Sequence, residues 1–296
     1  MSVGFIGLGN MGYPMSERLL DAGHQLVVHD IRTEVTRPLA DRQARVVGSA
    51  REVADAAEVV FASLPSLDAY RSASVGGDGI IEGKAAKIFV NLGTVGTPLI
   101  RDIAAKLSAS GIATIDCPVS GGPPGAAAGT LSVMVSGPEA AFRQVEPMLA
   151  QLGPVTYAGA EPGLAQSLKL VNNILTAVAL TATSEAFAMG VKAGLDPEVI
   201  LEAVNAGSGR NSATLDKFPS DVVTHKYKYG AALDILIKDI DLAMAEGEAL
   251  GVPMLVSQSA RQLLRLVRAD GGGTQDITRV AERVSNWAGA KIPKTR

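Results

Sequence analysis

Residues 3–12 read Val3-Gly4-Phe5-Ile6-Gly7-Leu8-Gly9-Asn10-Met11-Gly12, and this stretch decides the fold. A short apolar run, Val3 to Ile6, leads into G-x-G-x-x-G, and a helix-like segment follows from Tyr13 to Ala22. Strand, glycine turn and helix in that order form the opening of a dinucleotide-binding unit. Gly7 permits the tight turn, Gly9 lets the backbone approach a pyrophosphate, and Gly12 lets the helix pack closely on the strand. The helix N-terminus offers free N–H groups and a positive dipole to the phosphates. A second apolar run, Gln25 to His29, ends in Asp30, where an acid grips the adenosine ribose.

Working outward, the first half alternates short apolar runs with helical patterns. Strands are expected at Val3–Ile6, Gln25–His29, Val59–Ala62, Lys87–Asn91, Thr114–Asp116, Ser132–Ser136 and Val155–Tyr157. Helices are expected at Met15–Ala22, Ser49–Ala56, Pro98–Ala109 and Glu139–Leu149. The alternation predicts an α/β fold with a Rossmann-type, doubly wound, mostly parallel sheet. After Gly163 the texture changes to long stretches rich in alanine, leucine and methionine. Gly194 reads as a helix C-cap, and Asp196-Pro197-Glu198 as the next helix start. Gly207 to Gly230 reads as an irregular polar connection. The expected plan is a dinucleotide-binding domain over residues 1–162 and an all-helical C-terminal domain, for substrate and oligomerisation, over 163–296.

Composition narrows the function classes. Of 296 residues, 47% are hydrophobic and 19% charged, which allows a large core and argues against disorder. The net charge of −3 favours neither nucleic acid nor an anionic membrane as partner. The basic run His225-Lys226-Tyr227-Lys228-Tyr229 is short and reads as a solvated loop. Cys117 is the single cysteine, so an intrachain disulfide is impossible and a reducing compartment is expected. Following an apolar strand and preceding Pro118, it reads as a small buried residue. Met1 leads straight into the first strand with no charged leader, and cytoplasm is the expected location. Leu170 to Met189 is broken by Asn172, Asn173, Ser184 and Glu185, which reads as too polar to span a membrane. His24, His29 and His225 lack ligand-like spacing, so no metal site is expected.

Two features carry chemistry. Lys169, Asn172, Asn173 and Thr176 stand at i, i+3, i+4 and i+7 and share one helix face. The rest of that helix is apolar, and asparagine is a poor helix former because its amide competes for backbone hydrogen bonds. Two asparagines in succession therefore mark a polar seam facing a cleft rather than solvent. The second feature is Asp116-Cys117-Pro118-Val119-Ser120-Gly121-Gly122, where exposed amides beside a hydroxyl suit a carboxylate. Gly125 to Gly129 reads as a small-residue loop that extends it.

With these segments assembled, the chain resembles the β-hydroxyacid dehydrogenase family, which includes 3-hydroxyisobutyrate dehydrogenase and tartronate semialdehyde reductase. The matching segments are GFIGLGNMGYPM at the start, DCPVSGGPPGAAAGTLSVMVSG at 116–137, GLAQSLKLVNN at 163–173 and KDIDLA at 238–243. They follow the family's order across nearly the whole chain. The resemblance implies that Lys169 is catalytic, that Asn173 binds substrate beside it, and that Ser120, Gly121 and Gly122 hold the substrate carboxylate. It implies that Lys238 lies near both nicotinamide and substrate, with Asp239 beside it. Cofactor contacts are implied for Leu64, Pro65 and Thr94, added to Gly7, Leu8, Gly9, Asn10, Met11, Gly12, Asp30 and Arg32. It also implies a homodimer or homotetramer, with the long helix that begins near Gly163 buried in the assembly. One departure is Gly96, where many relatives carry a hydroxyl two residues after the threonine.

The expected reaction is reversible hydride transfer between a nicotinamide cofactor and a short β-hydroxy acid or its semialdehyde. Lys169 would exchange the proton at the reacting oxygen, which requires burial or nearby positive charge to lower a pKa of about 10.4. Asp30 accepts ribose hydroxyls and repels a 2′-phosphate, which favours NAD over NADP, whereas Arg32 suits that phosphate. The rival readings are an imine reductase, which usually lacks the catalytic lysine; a reductase of short aldehydes such as glyoxylate or succinic semialdehyde; and a non-catalytic nucleotide sensor.

Overall fold

A computed structural model describes residues 2–294; Met1, read above as leading into the first strand, lies outside the described residues, as do residues 295 and 296. The strands are β1 (Ser2–Ile6), β2 (Gln25–His29), β3 (Arg45–Val46), β4 (Val59–Ala62), β5 (Ile88–Asn91), β6 (Ala113–Asp116), β7 (Val119–Ser120), β8 (Ser132–Ser136) and β9 (Val155–Gly159). They form one sheet in the order β3-β2-β1-β4-β5-β6-β8-β7, with β9 also on β8. The six strands from β3 to β6 are parallel; β8 runs antiparallel to β6 and β7. The chain thus lays β2 and β3 on one side of β1 and returns to put β4 on the other. That reversal opens a crevice beyond the carboxyl ends of β1 and β4.

Both sheet faces are covered, and successive strand residues feed opposite layers. Val3 and Phe5 of β1, Val59 and Phe61 of β4 and Ile88 and Val90 of β5 join one core with Met15, Leu19, Phe142 and Val145. Ile6, Val60, Ala62 and Phe89 join the other with Val53, Tyr70, Ile100 and Ile103. Strands buried on both faces need apolar residues at every position, which is why they read as unbroken runs.

Two-residue strands gave no periodicity to read, so β3 and β7 were not expected. Residues 122–128 correct the loop expected at 125–129: Gly122–Ala128 is a helix, with proline at its start and Gly129 as a left-handed cap at φ 69°. Proline is tolerated in a first helical turn, and the three alanines after Gly125 carry the helix to its glycine stop.

The chain divides into two compact units between Lys169 and Leu170. The break falls inside one continuous helix, Leu164–Lys192. By length and composition alone this helix is apolar enough to cross a membrane, contrary to the reading of its polar interruptions. A core helix of a soluble protein meets the same test, and Ala177, Leu180, Phe187 and Ala188 are buried in the second unit's core. That unit is helical: Pro197–Ala206, Leu233–Ala249, Leu255–Gly271 and Arg279–Trp287 follow. Gly194 has φ 90°, and Asp196 caps the helix that Pro197 opens, accepting from the Glu198 amide.

Residues 207–230 are irregular at both ends, as expected, but not in the middle. Ala213–Val222 forms a π-helix whose Phe218 packs edge-on to Phe187, with centroids 4.9 Å apart. The wide turn accommodates Pro219, because the i→i−4 pattern a proline would break is not the one in use. The basic run beyond it is anchored too. Tyr227 is buried beneath the Arg279 guanidinium at 4.4 Å, and Tyr229 lies under the Lys217 ammonium at 4.7 Å, while His225, Lys226 and Lys228 stay exposed.

The β1 turn depends on close backbone packing. A Cβ on Gly12 would lie 1.9 Å from the Gly7 carbonyl oxygen. Gly12→Ala is expected to lower the unfolding free energy by about 1–3 kcal/mol through overpacking. Gly77→Ala, where nothing among the described residues lies within 4 Å, should change it by less than about 0.5 kcal/mol. Thermal unfolding of both variants checks the contrast.

Candidate active site

The glycine turn leaves β1 and is held on three sides. The Gly7 amide donates to His29 O at 2.9 Å, and φ of +88° places the residue where glycine is favoured. A Cβ on Gly7 would meet Ser63 O at 2.2 Å and the Leu64 side chain at 2.9 Å, so the turn presses on the loop after β4. Gly9 is open: among the described residues a Cβ there meets only the Arg32 guanidinium, at 3.8 Å. The helix Gly12–Asp21 starts at Met11 without a side-chain cap and with no acidic residue in its first turn. An approachable glycine backbone and uncapped helix amides fit a dinucleotide pyrophosphate.

Asp30 ties this turn to the end of β2. Its Oδ2 accepts from the Leu8 amide at 2.7 Å, and its Oδ1 accepts from the Arg32 amide at 2.9 Å. The Arg32 Nε lies 3.4 Å from the same Oδ1, with the arginine side chain half-exposed. Burial pushes the carboxyl up, but the Arg32 and Leu8 amides and the Arg32 guanidinium outweigh it and hold the group below its ordinary range.

The other cofactor candidates of this unit follow the carboxyl ends of parallel strands. Leu64 and Pro65 follow β4, with the Leu64 amide donating to the Tyr70 hydroxyl at 3.0 Å; Thr94 follows β5 and is half-buried. Beyond β6, Ser120 pairs in register with Ser132 of β8. Gly121 and Gly122 take φ of 133° and 65° as the chain turns into the helix Gly122–Ala128. Gly96, without the relatives' hydroxyl, has φ +80° and precedes the helix Thr97–Ala109, a conformation that favours glycine. Cys117 is fully buried.

Lys169 ends the first unit and is only 7% exposed. On the same helix, Asn172, Asn173 and Thr176 are half-buried. Within the second unit the seam is hydrogen-bonded in series. Asn172 Nδ2 donates to Asn173 Oδ1 at 3.0 Å, and Asn173 Nδ2 donates to Asp239 Oδ2 at 2.5 Å. Asp239 Oδ1 lies 2.8 Å from Lys238 Nζ. One buried carboxylate therefore orients both candidate substrate residues of this unit, Asn173 and Lys238. Asp239 had entered only as a neighbour of Lys238; an acid between Leu236, Ile237 and Ile240, all buried, was the signal for a larger role.

Comparison with known proteins bears on the whole chain. Residues 2–159 match the family model described as the NAD binding domain of 6-phosphogluconate dehydrogenase. Residues 163–284 match that of the NAD-binding region of NADP-dependent 3-hydroxyisobutyrate dehydrogenase. The 3-hydroxyisobutyrate dehydrogenase of Pseudomonas aeruginosa is 35% identical over 272 residues, 89% of this chain and 91% of that protein. The 2-(hydroxymethyl)glutarate dehydrogenase of Eubacterium barkeri is 31% identical over 293 residues, 99% and 97% of the two chains. The structure of Mycobacterium tuberculosis 3-hydroxyisobutyrate dehydrogenase with L-serine superposes with a TM-score of 0.88 at 29% identity, covering 96% of this chain and 98% of that one.

Asp30 makes a test of the turn's electrostatics. A carboxyl held below its unfolded value of 3.8 contributes stability above that pH and loses it as pH falls through the folded pKa. Asp30→Asn should therefore cost about 1–3 kcal/mol at neutral pH through lost hydrogen bonds to the ionised group. The gap from the parent should narrow below about pH 4. Denaturant unfolding across pH checks both the size and the sign.

Proposed function

The chain belongs to the β-hydroxyacid dehydrogenase family, and on that footing we propose that Lys169 is the general acid and base for a short β-hydroxy acid and its semialdehyde. The protein is an NAD(P)-dependent oxidoreductase of the 3-hydroxyisobutyrate dehydrogenase type. The observation that carries the Lys169 reading is its burial on the helix that also bears the hydrogen-bonded Asn172–Asn173 seam. An almost buried ammonium costs free energy that a protein interior seldom bears without a task.

A nicotinamide dinucleotide held here would supply the hydride in reduction and accept it in oxidation. In reduction, Lys169 Nζ gives its proton to the aldehyde oxygen as that oxygen becomes a hydroxyl. In oxidation the same nitrogen takes the hydroxyl proton. Ser120 Oγ and the Gly121 and Gly122 amides hold the substrate carboxylate, so the carbon two bonds away is presented in one orientation. Asn173, its amide fixed by Asp239 and Asn172, steers the reacting oxygen, and Lys238 adds positive charge toward substrate and nicotinamide. Residues 7–12 would hold the pyrophosphate, Asp30 would take the ribose, and Leu64, Pro65 and Thr94 would supply further cofactor contacts.

NAD is the preferred cofactor in this reading. The ionised Asp30, kept low in pKa by two backbone amides, stands against a 2′-phosphate. Arg32, near Gly9, is the feature that favours NADP. A homo-oligomer is also proposed. Val171, Leu175 and Met189 are 56%, 64% and 71% exposed, and Ala182 and Ala186 continue the same apolar stripe. A stripe of that length on one helix suits a second copy of the chain. The lone buried cysteine suits the cytoplasm.

Two experiments test this reading. Small β-hydroxy acids and semialdehydes assayed with NAD(H) and NADP(H) should give turnover, faster with the former, and Lys169→Ala should lose roughly 10²–10⁴-fold while still binding cofactor. Turnover within tenfold of the parent contradicts the lysine's role. Leu175→Lys should shift the protein to a smaller species in light scattering; an unchanged mass places the interface elsewhere.

A further inference from the structure

Asp116 ends β6 fully buried, and its carboxylate accepts four hydrogen bonds. Oδ1 accepts from Asn91 Nδ2 at 3.0 Å and Gln166 Nε2 at 2.6 Å. Oδ2 accepts from the backbone amides of Gly163 and Gln166, both at 3.2 Å, and so caps the first turn of the helix that carries Lys169. Burial pushes this carboxyl up to about 6, opposed by its donors. All four donors are directed at the carboxylate, which favours its ionised form.

Gln166, also fully buried, continues the network to the loop after β5. Its Nε2 donates to Gly93 O at 3.0 Å, and its Oε1 accepts from the Val95 and Gly96 amides at 2.8 and 2.9 Å. Both amide hydrogens and both oxygen lone pairs are in use. The gripped residues, 93, 95 and 96, bracket Thr94. Asn91 steadies the same loop, donating to Gly93 O at 2.9 Å and accepting from the Gly93 amide at 3.2 Å. Lys169 stands three residues beyond Gln166, where helix side chains are neighbours.

Capping the helix alone would need only Asp116. The Gln166 side chain does something further: it fixes the spacing between the turn that presents Lys169 and the loop that presents Thr94. The geometry points to Gln166 as a positioning residue, which sets the Lys169 amine at the distance from the cofactor loop that proton transfer at the substrate oxygen requires. This rests on the assignment of Lys169 as acid and base. A misplacement of about 1 Å is enough to cost roughly 10²-fold in rate.

A double-mutant cycle tests it. Gln166→Met matches the side chain's length without its hydrogen bonds. It should lower kcat roughly 10²-fold while substrate KM stays within about threefold. In a Lys169→Ala background the same change should cost less than about twofold, because the group it positions is gone. Single-turnover rates on protein whose fold is checked by circular dichroism give the values. If Gln166→Met fails to fold, Gln166→Asn is read the same way, since it stays uncharged and is one methylene too short to keep all four bonds. An equal loss in both backgrounds, or a kcat within about threefold of the parent, overturns the positioning role. Turnover that survives in Lys169→Ala alone overturns the acid–base assignment, so the two failures are told apart.

Discussion

The constraint on which the nucleotide half depends is backbone touching backbone at the end of β1. Gly12 comes so near the Gly7 carbonyl that a methyl group has no place, and Gly7 in turn presses on Ser63 after β4. Those contacts bring the first helix down onto the sheet at the point where strand order reverses. Asp30 then locks the turn from the other side by accepting the Leu8 amide. A turn of this kind offers amides to a phosphate, so its accuracy comes from the packing of glycine against carbonyl rather than from charged side chains.

The second half is built on a different economy of polar groups. Its polar seam lies on a long helix that is otherwise apolar, and each half-buried amide there needs a partner. Asp239 supplies one to Asn173 and an ion pair to Lys238. The price of burying that carboxylate is offset by the hydrogen bond and the ion pair it makes with these two neighbours. The helix Leu164–Lys192 runs unbroken from the unit that holds Lys169 into the unit that holds Asn173.

Much of this was legible in residue order because the determinants are local. The glycine spacing, the apolar runs of β1, β2 and β4, and the Asp196-Pro197 helix start each act within a few residues, and each stands where it was expected. Gly122–Ala128 was misread because glycine and proline signal turns, whereas proline in a first helical turn is equally at home. The π-helix was missed because a run rich in serine, aspartate and proline shows no 3.6-residue pattern, although Phe218 and Val222 are fully buried. At the site, the seam of Lys169, Asn172, Asn173 and Thr176 was visible as helix spacing. Its partner Asp239 lies 66 residues from Asn173, and no local pattern announces such a pairing.

Gln166 was overlooked for the same reason, since its partners lie 50 and about 70 residues away. Its chemistry nevertheless leaves little freedom at that position. The side chain must donate to a carboxylate and a carbonyl, and accept from two amides. Lysine and arginine can donate there but cannot accept, so the Val95 and Gly96 amides would be buried without partners. Glutamate can accept but cannot donate when ionised, and it would set a second negative charge against Asp116. Asparagine has both functions on a stem one methylene too short to keep all four bonds. An uncharged amide of glutamine's length meets every demand at once, and it does so without adding a charge close to Lys169, where one would disturb the amine's own proton affinity.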